Sequence, residues 1–248
     1  FCPRLRRRGR IFRPMCLVRI VEPVEGRPQV TLRLRPTAGY GEPVEPRVVG
    51  SHHFSFGAAG VRYRVTSNAS HSAIAEERSF VLDRKLCFVL GPDEPLEQSP
   101  TVLASELLAE TVSYWHDWVR TLAIPFEWQQ AVIRAAITLK LCTFEDTGAV
   151  LAALTTSVPE APGTSRNWDY RYCWLRDSYF VIQALNRLGA TRTMEAYLHF
   201  IDNIATRSPV GELQPLYGIS GDPDAAEYIV QALEGYRGMG PVRVGNGA

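Results

Sequence analysis

Apolar and polar positions follow two different periods along this chain, and the change falls near residue 100. Before it, short segments at 16–22 (CLVRIVE), 29–36 (QVTLRLRP), 60–67 (GVRYRVTS), 79–83 (SFVLD) and 85–91 (KLCFVLG) are rich in Val, Leu, Phe and Tyr. In the second of these Val30, Leu32 and Leu34 alternate with Thr31, Arg33 and Arg35, the period of a half-buried antiparallel strand. Turn-forming clusters such as VEGRP, TAGYGEP and TSNAS separate the segments, so a sandwich of two antiparallel sheets is predicted. The stretch GPDEPLEQSP at 91–100 reads as a linker or domain corner.

Beyond that corner the spacing becomes helical. Leu107, Thr111, Tyr114, Trp115, Trp118 and Leu122 recur at steps of three and four, and Ile124-Pro125 stops the pattern. A second helix is predicted near 127–143, with Trp128, Val132, Ala135, Ala136, Leu139 and Cys142 on one face. A third should start at Asp177 or Ser178 as cap, run apolar nearly all round as an interior helix, and end at Gly189. A fourth follows Thr191, and a fifth is predicted from Asp222-Pro223 to Gly235. The expected organisation is a β domain over 1–98, a linker helix over 99–126 and an all-α domain over 127–248. The loops after 143 and 205 are long, and long ordered loops tend to carry function.

Bulk composition narrows the partners. The chain has 248 residues, 46% of them hydrophobic, and a formal net charge of +1, which disfavours nucleic acid as the main ligand. No apolar run approaches the roughly 18 residues of a membrane span. Phe1-Cys2-Pro3 and the arginines after it lack the apolar core of a signal peptide, so a cytoplasmic location is expected. Cys2, Cys16, Cys87, Cys142 and Cys173 show no metal or redox spacing and are expected to be free thiols. His52-His53 would point to opposite faces of a strand, so no metal site is expected. Arg4, Arg6, Arg7, Arg8, Arg10 and Arg13 form a basic run read as a solvated edge, a nucleic-acid patch being the alternative. The first residue is not Met, which fits a β domain lacking its own beginning.

The candidate chemistry lies in RNWDYRYCWLRDS, residues 166–178. On an extended backbone Trp168, Tyr170, Tyr172 and Trp174 share one face, and Asp169, Arg171 and Cys173 share the other. Aromatic rings with polar edges suit the C–H faces of pyranoses. Arg176 adds a planar fork of donors and Asp177 two acceptor oxygens, which together could grip neighbouring hydroxyls of one sugar. The same residues also fit a packed aromatic core, with Asp177 as a helix cap and Arg171 paired to Asp169.

The stretch EDTGAVLAALTTSVPEAPGTSRNWDYRYCWLRDS resembles the signature of glycoside hydrolase family 15, the glucoamylase-like family. So do AVIRAAITLKLCTFEDTGA before it and LQPLYGISG and GYRGMGPVRVGNGA after it, from about Thr111 to the last residue. The resemblance implies an N-terminal β-sandwich joined to an (α/α)6 barrel, of which this chain would hold the first part. It implies hydrolysis of α-linked glucosides with inversion, of the glucoamylase type. Trehalase of the same family, an isomaltose- or dextran-directed hydrolase, and a non-catalytic carbohydrate-binding relic are the alternatives. Carried over by position, Arg176 and Asp177 would hold hydroxyls of a terminal glucose. Tyr170 and Trp174 would line its subsite, with Tyr217 as a further wall candidate. The implied partner is an oligo- or disaccharide of glucose, and no cofactor is implied.

Inverting hydrolysis needs a carboxylic acid and a carboxylate roughly 6.5–9.5 Å apart. The family's two glutamates are expected downstream of Ala248, so the chain is expected to be an N-terminal fragment, inactive alone. Glu145, Asp146, Asp169, Glu212, Asp222 and Asp224 also sit near loop positions, and each has a structural explanation as a turn, pair or cap.

Overall fold

The computed structural model describes residues 1–50, 52–156, 158–209, 212–223 and 226–245. Two compact units divide the chain, Phe1–Asp117 and Trp118–Ala248, so the division falls inside a long helix and not at a loop.

The first unit is built on a five-stranded antiparallel sheet. In spatial order its strands are Leu17–Val21, Leu86–Pro92, Val61–Ser67, His53–Ala58 and Arg47–Val49. The two longest strands, Val61–Ser67 and Leu86–Pro92, lie side by side at its centre, with Val89 opposite Val18 on one side and Thr66 on the other. Alternation along the central strand feeds two cores. Cys87 and Val89 pack with Leu5, Val18, Ala104 and Leu107, while Leu86 packs with Phe54, Ile74 and Leu82. Ala104 and Leu107 belong to α2 (Pro100–Arg120), whose buried stripe continues through Thr111 and Tyr114 as its spacing predicts. Ile74 comes from the short α1 (His71–Ala75), which Ser70 caps by accepting a bond from the Ala73 amide.

Instead of the second full sheet expected from the sequence, the other layer is a two-stranded pair, Gln29–Val30 with Phe80–Val81. The predicted strand over 29–36 forms a ladder only at its first two residues. Leu32 and Leu34 still turn inward onto the Phe54 cluster and Arg33 and Arg35 outward, so the alternation fixed facing without supplying a pairing partner.

The arginine-rich start is a hairpin, Leu5–Arg7 with Arg10–Phe12. Its turn residues Arg8 and Gly9 both have positive φ, 49° and 76°, the tight two-residue type that matches strand twist. Arg6, Arg7, Arg8 and Arg10 are exposed, as a solvated edge would be. Arg4 is not: it is buried, with its guanidinium 5.9 Å from the centre of the Tyr114 ring and 5.2 Å from that of Trp115. Planar, weakly hydrated guanidinium tolerates such stacking where an ammonium would not.

The second unit carries α3 (Gln129–Leu141), α4 (Leu175–Arg187) and α5 (Thr191–Arg207). It is not purely helical, because three short antiparallel pairs join its loops: Thr143–Phe144 with Ala149–Val150, Cys173–Trp174 with Leu216–Tyr217, and Tyr228–Val230 with Val242–Val244. Ala149, Val150, Cys173, Ile182, Tyr197, Phe200, Ile204 and Tyr217 make its main core. Trp128, expected on the apolar face of α3, instead precedes the helix with φ 60° and is exposed, while Lys140 is buried. The Lys140 ammonium is 2.5 Å from Glu145 and donates to the Thr193 hydroxyl at 3.1 Å, tying α3 to α5.

Gly148 is required in the turn after Phe144. Its φ is +85°, and a Cβ there would lie 2.0 Å from the Ala196 carbonyl oxygen of α5.

Two helix expectations fail. α4 starts at Leu175, so Asp177 lies inside its first turn and is not the cap. The helix is amphipathic, burying Ser178, Ile182 and Leu185 while Tyr179 and Phe180 stay exposed. The predicted fifth helix over 222–235 is absent from the described residues. Tyr228–Val230 pairs instead with Val242–Val244, since a β-branched and aromatic run with a ready partner outweighs a capping signal. Asp224 lies outside the described residues. All five cysteines are free, and among the described residues no helix is long and apolar enough to cross a membrane.

Candidate functional site

Residues 167–174 run extended, and neighbouring backbone holds them from several directions. The amides of Ala152 and Ala153 donate to the carbonyls of Tyr172 and Tyr170 at 2.9 and 3.0 Å, and the Tyr170 amide donates to Thr155 at 3.1 Å. The Arg243 amide donates to the Asn167 carbonyl, and the Asp169 amide donates to the Arg243 carbonyl, each at 2.8 Å. Cys173 and Trp174 pair with Tyr217 and Leu216.

This backbone frame sets an alternation. Asn167, Asp169 and Cys173 are buried and Trp168, Tyr170, Tyr172 and Trp174 partly exposed, whereas Arg171, expected on the same side as Asp169 and Cys173, is exposed because it folds back onto the Asp169 carboxylate. Most of the buried polar atoms find partners locally, whereas the Asn167 Oδ1 has none. Asn167 donates through Nδ2 to the Gly240 carbonyl at 3.2 Å. Asp169 accepts from the Arg171 amide at 2.9 Å and from its guanidinium at 2.8 and 3.0 Å. Burial pushes the Cys173 thiol above its ordinary pKa, so it is an inert core group beside Ser178.

The ring face opens on a cleft of about 190 Å³ lined by Ala152, Glu160, Trp168, Tyr170, Trp174, Arg176 and Asp177. Tyr170 and Trp174 have centroids 6.2 Å apart with planes at 48°. Trp174 also ends the extended run, because it is the residue from which α4 begins. Arg176 and Asp177 therefore leave the first helical turn beside the rings. The helix N-terminus favours the Asp177 carboxylate there. The two side chains approach only to 3.9 Å and are 84% and 46% exposed, which leaves their donors and acceptors available to a ligand.

Glu160, on the loop before the ring stretch, completes the wall. Its Oε1 accepts from the Tyr170 hydroxyl at 3.2 Å, and its Oε2 accepts from Arg166 at 2.9 Å (Nε) and 2.5 Å (Nη2). Burial, and then the charge of Glu160, raise the Tyr170 phenol above its ordinary pKa. The guanidinium carbons of Arg166 and Arg243 lie 5.4 and 5.7 Å from the Trp168 ring centre, and Glu227 pairs with Arg243 at 3.3 Å.

Of the residues singled out by sequence, the structure brings Tyr170, Trp174, Arg176 and Asp177 together on one cleft. Tyr217 is not among them. Paired opposite Cys173, it shares the buried face, packs against Phe200, and accepts a hydrogen bond from the Gln214 amide at 2.9 Å. Glu160 was missed; its one sequence signal is an acid six residues before Arg166, bracketing a loop that leads into the rings. Glu145, Asp146, Glu212 and Asp222 do not line the cleft. Among the described residues no group of three or more His, Cys, Asp or Glu side chains could hold a metal ion.

The cleft-bearing half of the chain has relatives. The model of the Glycosyl hydrolases family 15 matches residues 128–248. Trehalase of Mycobacterium tuberculosis is 40% identical over 148 residues, which cover 58% of this chain and 22% of that protein. Trehalase of Thermoplasma acidophilum is 39% identical over 150 residues, 60% of this chain and 25% of the relative. Trehalase 1 of Sulfolobus acidocaldarius is 36% identical over 139 residues, 56% and 24% respectively. The chain thus spans about a quarter of the length of the curated relatives it matches. No solved structure matches it.

Proposed function

We propose that the whole protein is a family 15 glycoside hydrolase that cleaves an α-linked diglucoside, with trehalose as substrate. The observation that carries this is the cleft itself, two rings beside an uncommitted guanidinium and carboxylate, in a segment of that family. Its roughly 190 Å³ falls below the roughly 300–1,000 Å³ of drug-sized ligand sites, and suits one hexose ring. One glucose stacks on Trp174 and Tyr170, while Arg176 donates to and Asp177 accepts from neighbouring hydroxyls. Hydrogen bonds to the sugar hydroxyls that tighten as the oxocarbenium-like transition state forms would convert this grip into rate.

The helical unit is proposed as the first part of an (α/α)6 barrel. The acid and base carboxyls of an inverting reaction are proposed to lie outside residues 1–248. The family resemblance of the sequence pointed to the glucoamylase type first. The trehalase names of the relatives favour the alternative. Cleavage of maltooligosaccharides remains the second reading, because a one-ring subsite does not discriminate the leaving sugar.

The test is hydrolysis by the whole protein, followed by NMR of the released anomers. The expected outcome is a higher kcat/KM on trehalose than on maltose, with each trehalose releasing one β-glucose by inversion and one α-glucose as the leaving sugar before mutarotation. Preference for maltose would restore the glucoamylase reading. Glucose binding without hydrolysis of either sugar would make the protein a carbohydrate binder.

A further inference from the structure

Glu160 is the one cleft carboxylate that the ring-and-helix motif does not supply. It reaches the cleft from a separate loop, and three hydrogen bonds from two residues fix it. Arg166 occupies Oε2 with two donors and lies over Trp168, while the Tyr170 hydroxyl approaches Oε1 at 3.2 Å. A carboxylate oxygen has two acceptor sites, and hydroxyl bonds to an ionised oxygen run at roughly 2.5–2.7 Å when strong. Oε1 therefore keeps acceptor capacity, and the side chain, 42% exposed, lines the cleft. A simple loop latch would not need this placement. The Glu160 amide already closes the loop by donating to the Arg166 carbonyl at 2.8 Å.

We propose that Glu160 is a specificity-determining residue that accepts a hydrogen bond from one particular hydroxyl of the bound glucose, in addition to those read by Arg176 and Asp177. This rests on the sugar-binding reading above. It would make the site demand three correctly placed polar contacts around a single ring. A sugar lacking the matching hydroxyl would leave Glu160 facing it without a donor, the kind of mismatch that separates close analogues.

The test measures binding of glucose and of its 2-, 3-, 4- and 6-deoxy analogues to the whole protein by tryptophan fluorescence, with circular dichroism to confirm folding. Glu160→Gln is expected to weaken glucose about tenfold or more, since a charge-assisted bond is lost. The same variant should bind one of the deoxy analogues as well as the unmodified protein does. Arg166→Gln breaks the latch but keeps the carboxylate, and should cost clearly less while preserving the hydroxyl pattern. An equal loss across all five sugars, no loss at all, or an Arg166→Gln loss as large as that of Glu160→Gln would overturn the proposal. Failure of the unmodified protein to bind glucose is a different result, and overturns the sugar-binding reading itself.

Discussion

Two stretches of this chain alternate along their length, and they face opposite ways. In residues 30–35 the aliphatics Val30, Leu32 and Leu34 pack onto the core and Arg33 and Arg35 point out. In residues 167–174 the small polar and sulfur side chains Asn167, Asp169 and Cys173 are buried, and the large rings are left partly exposed. The first arrangement follows from hydrophobic burial alone. The second opposes it: apolar area stays at the surface and a carboxylate is buried. The Arg171 guanidinium compensates the buried Asp169 carboxylate, and the Arg243 backbone pairs with the backbone of Asn167 and Asp169. Inversion of the ordinary alternation, backed by dedicated hydrogen bonds, is what separates the proposed ligand face from the 30–35 scaffold.

The comparison can be broken most severely at the ligand end. Asp177→Asn in the whole protein should lower kcat/KM on trehalose about a hundredfold, since charge-assisted bonds contribute about 1.5–3 kcal/mol each. An unchanged rate would reduce Asp177 to a favourable charge at the start of α4. Asp169→Ala, on the buried face, should instead destabilise the fold by about 2–3 kcal/mol through lost charge-assisted bonds, read as a lower midpoint in urea. If stability is unaffected, the polar face is not what holds the rings outward. Trp174→Ala should weaken glucose binding by about 1 kcal/mol or somewhat more, the worth of a ring contact. A loss of stability without loss of binding would return the ring row to the core.

The smallest effect is expected at the charged face of the scaffold stretch. Arg35 donates to Glu77 at 2.7 and 2.6 Å, and this bond holds the Glu77 carboxyl below the usual carboxylate range. A depressed carboxyl stabilises the fold above its unfolded pKa, and that contribution disappears as pH falls through the folded value. Arg35→Ala should therefore shift the melting temperature barely at neutral pH, because the pair is exposed, and not at all in acid. A large neutral-pH shift would show the stretch doing more than displaying solvated charge.

The same contrast explains what was legible in the sequence. Positions whose burial follows hydrophobicity were readable: the α2 stripe through Leu107, Thr111 and Tyr114, and the inward row at 30–34. Facing was legible there even where strand pairing was not. Aromatic residues broke the reading in both directions, because a ring serves a core or a surface equally well. Phe180 helped to make α4 look interior but is exposed, whereas Tyr217 looked like a cleft wall and is core. Long-range partners were invisible. The pairing of Tyr228–Val230 with Val242–Val244 overrode the capping signal at Asp222, and the Tyr114 and Trp115 rings buried Arg4. Glu160 meets Tyr170 across a loop ten residues along the chain, a contact no periodicity announces. The motif at 170–177 was legible because the four residues lie close in sequence on one continuous backbone turn from extended chain into helix.

The most direct measurement is a crystal structure of the whole protein with glucose bound. A ring stacked on Trp174, with Arg176 and Asp177 atoms at hydrogen-bond distance (roughly 2.7–3.2 Å) from two of its hydroxyls, is the predicted result. Glucose bound elsewhere, with the Trp168–Trp174 face covered by protein, would contradict the account.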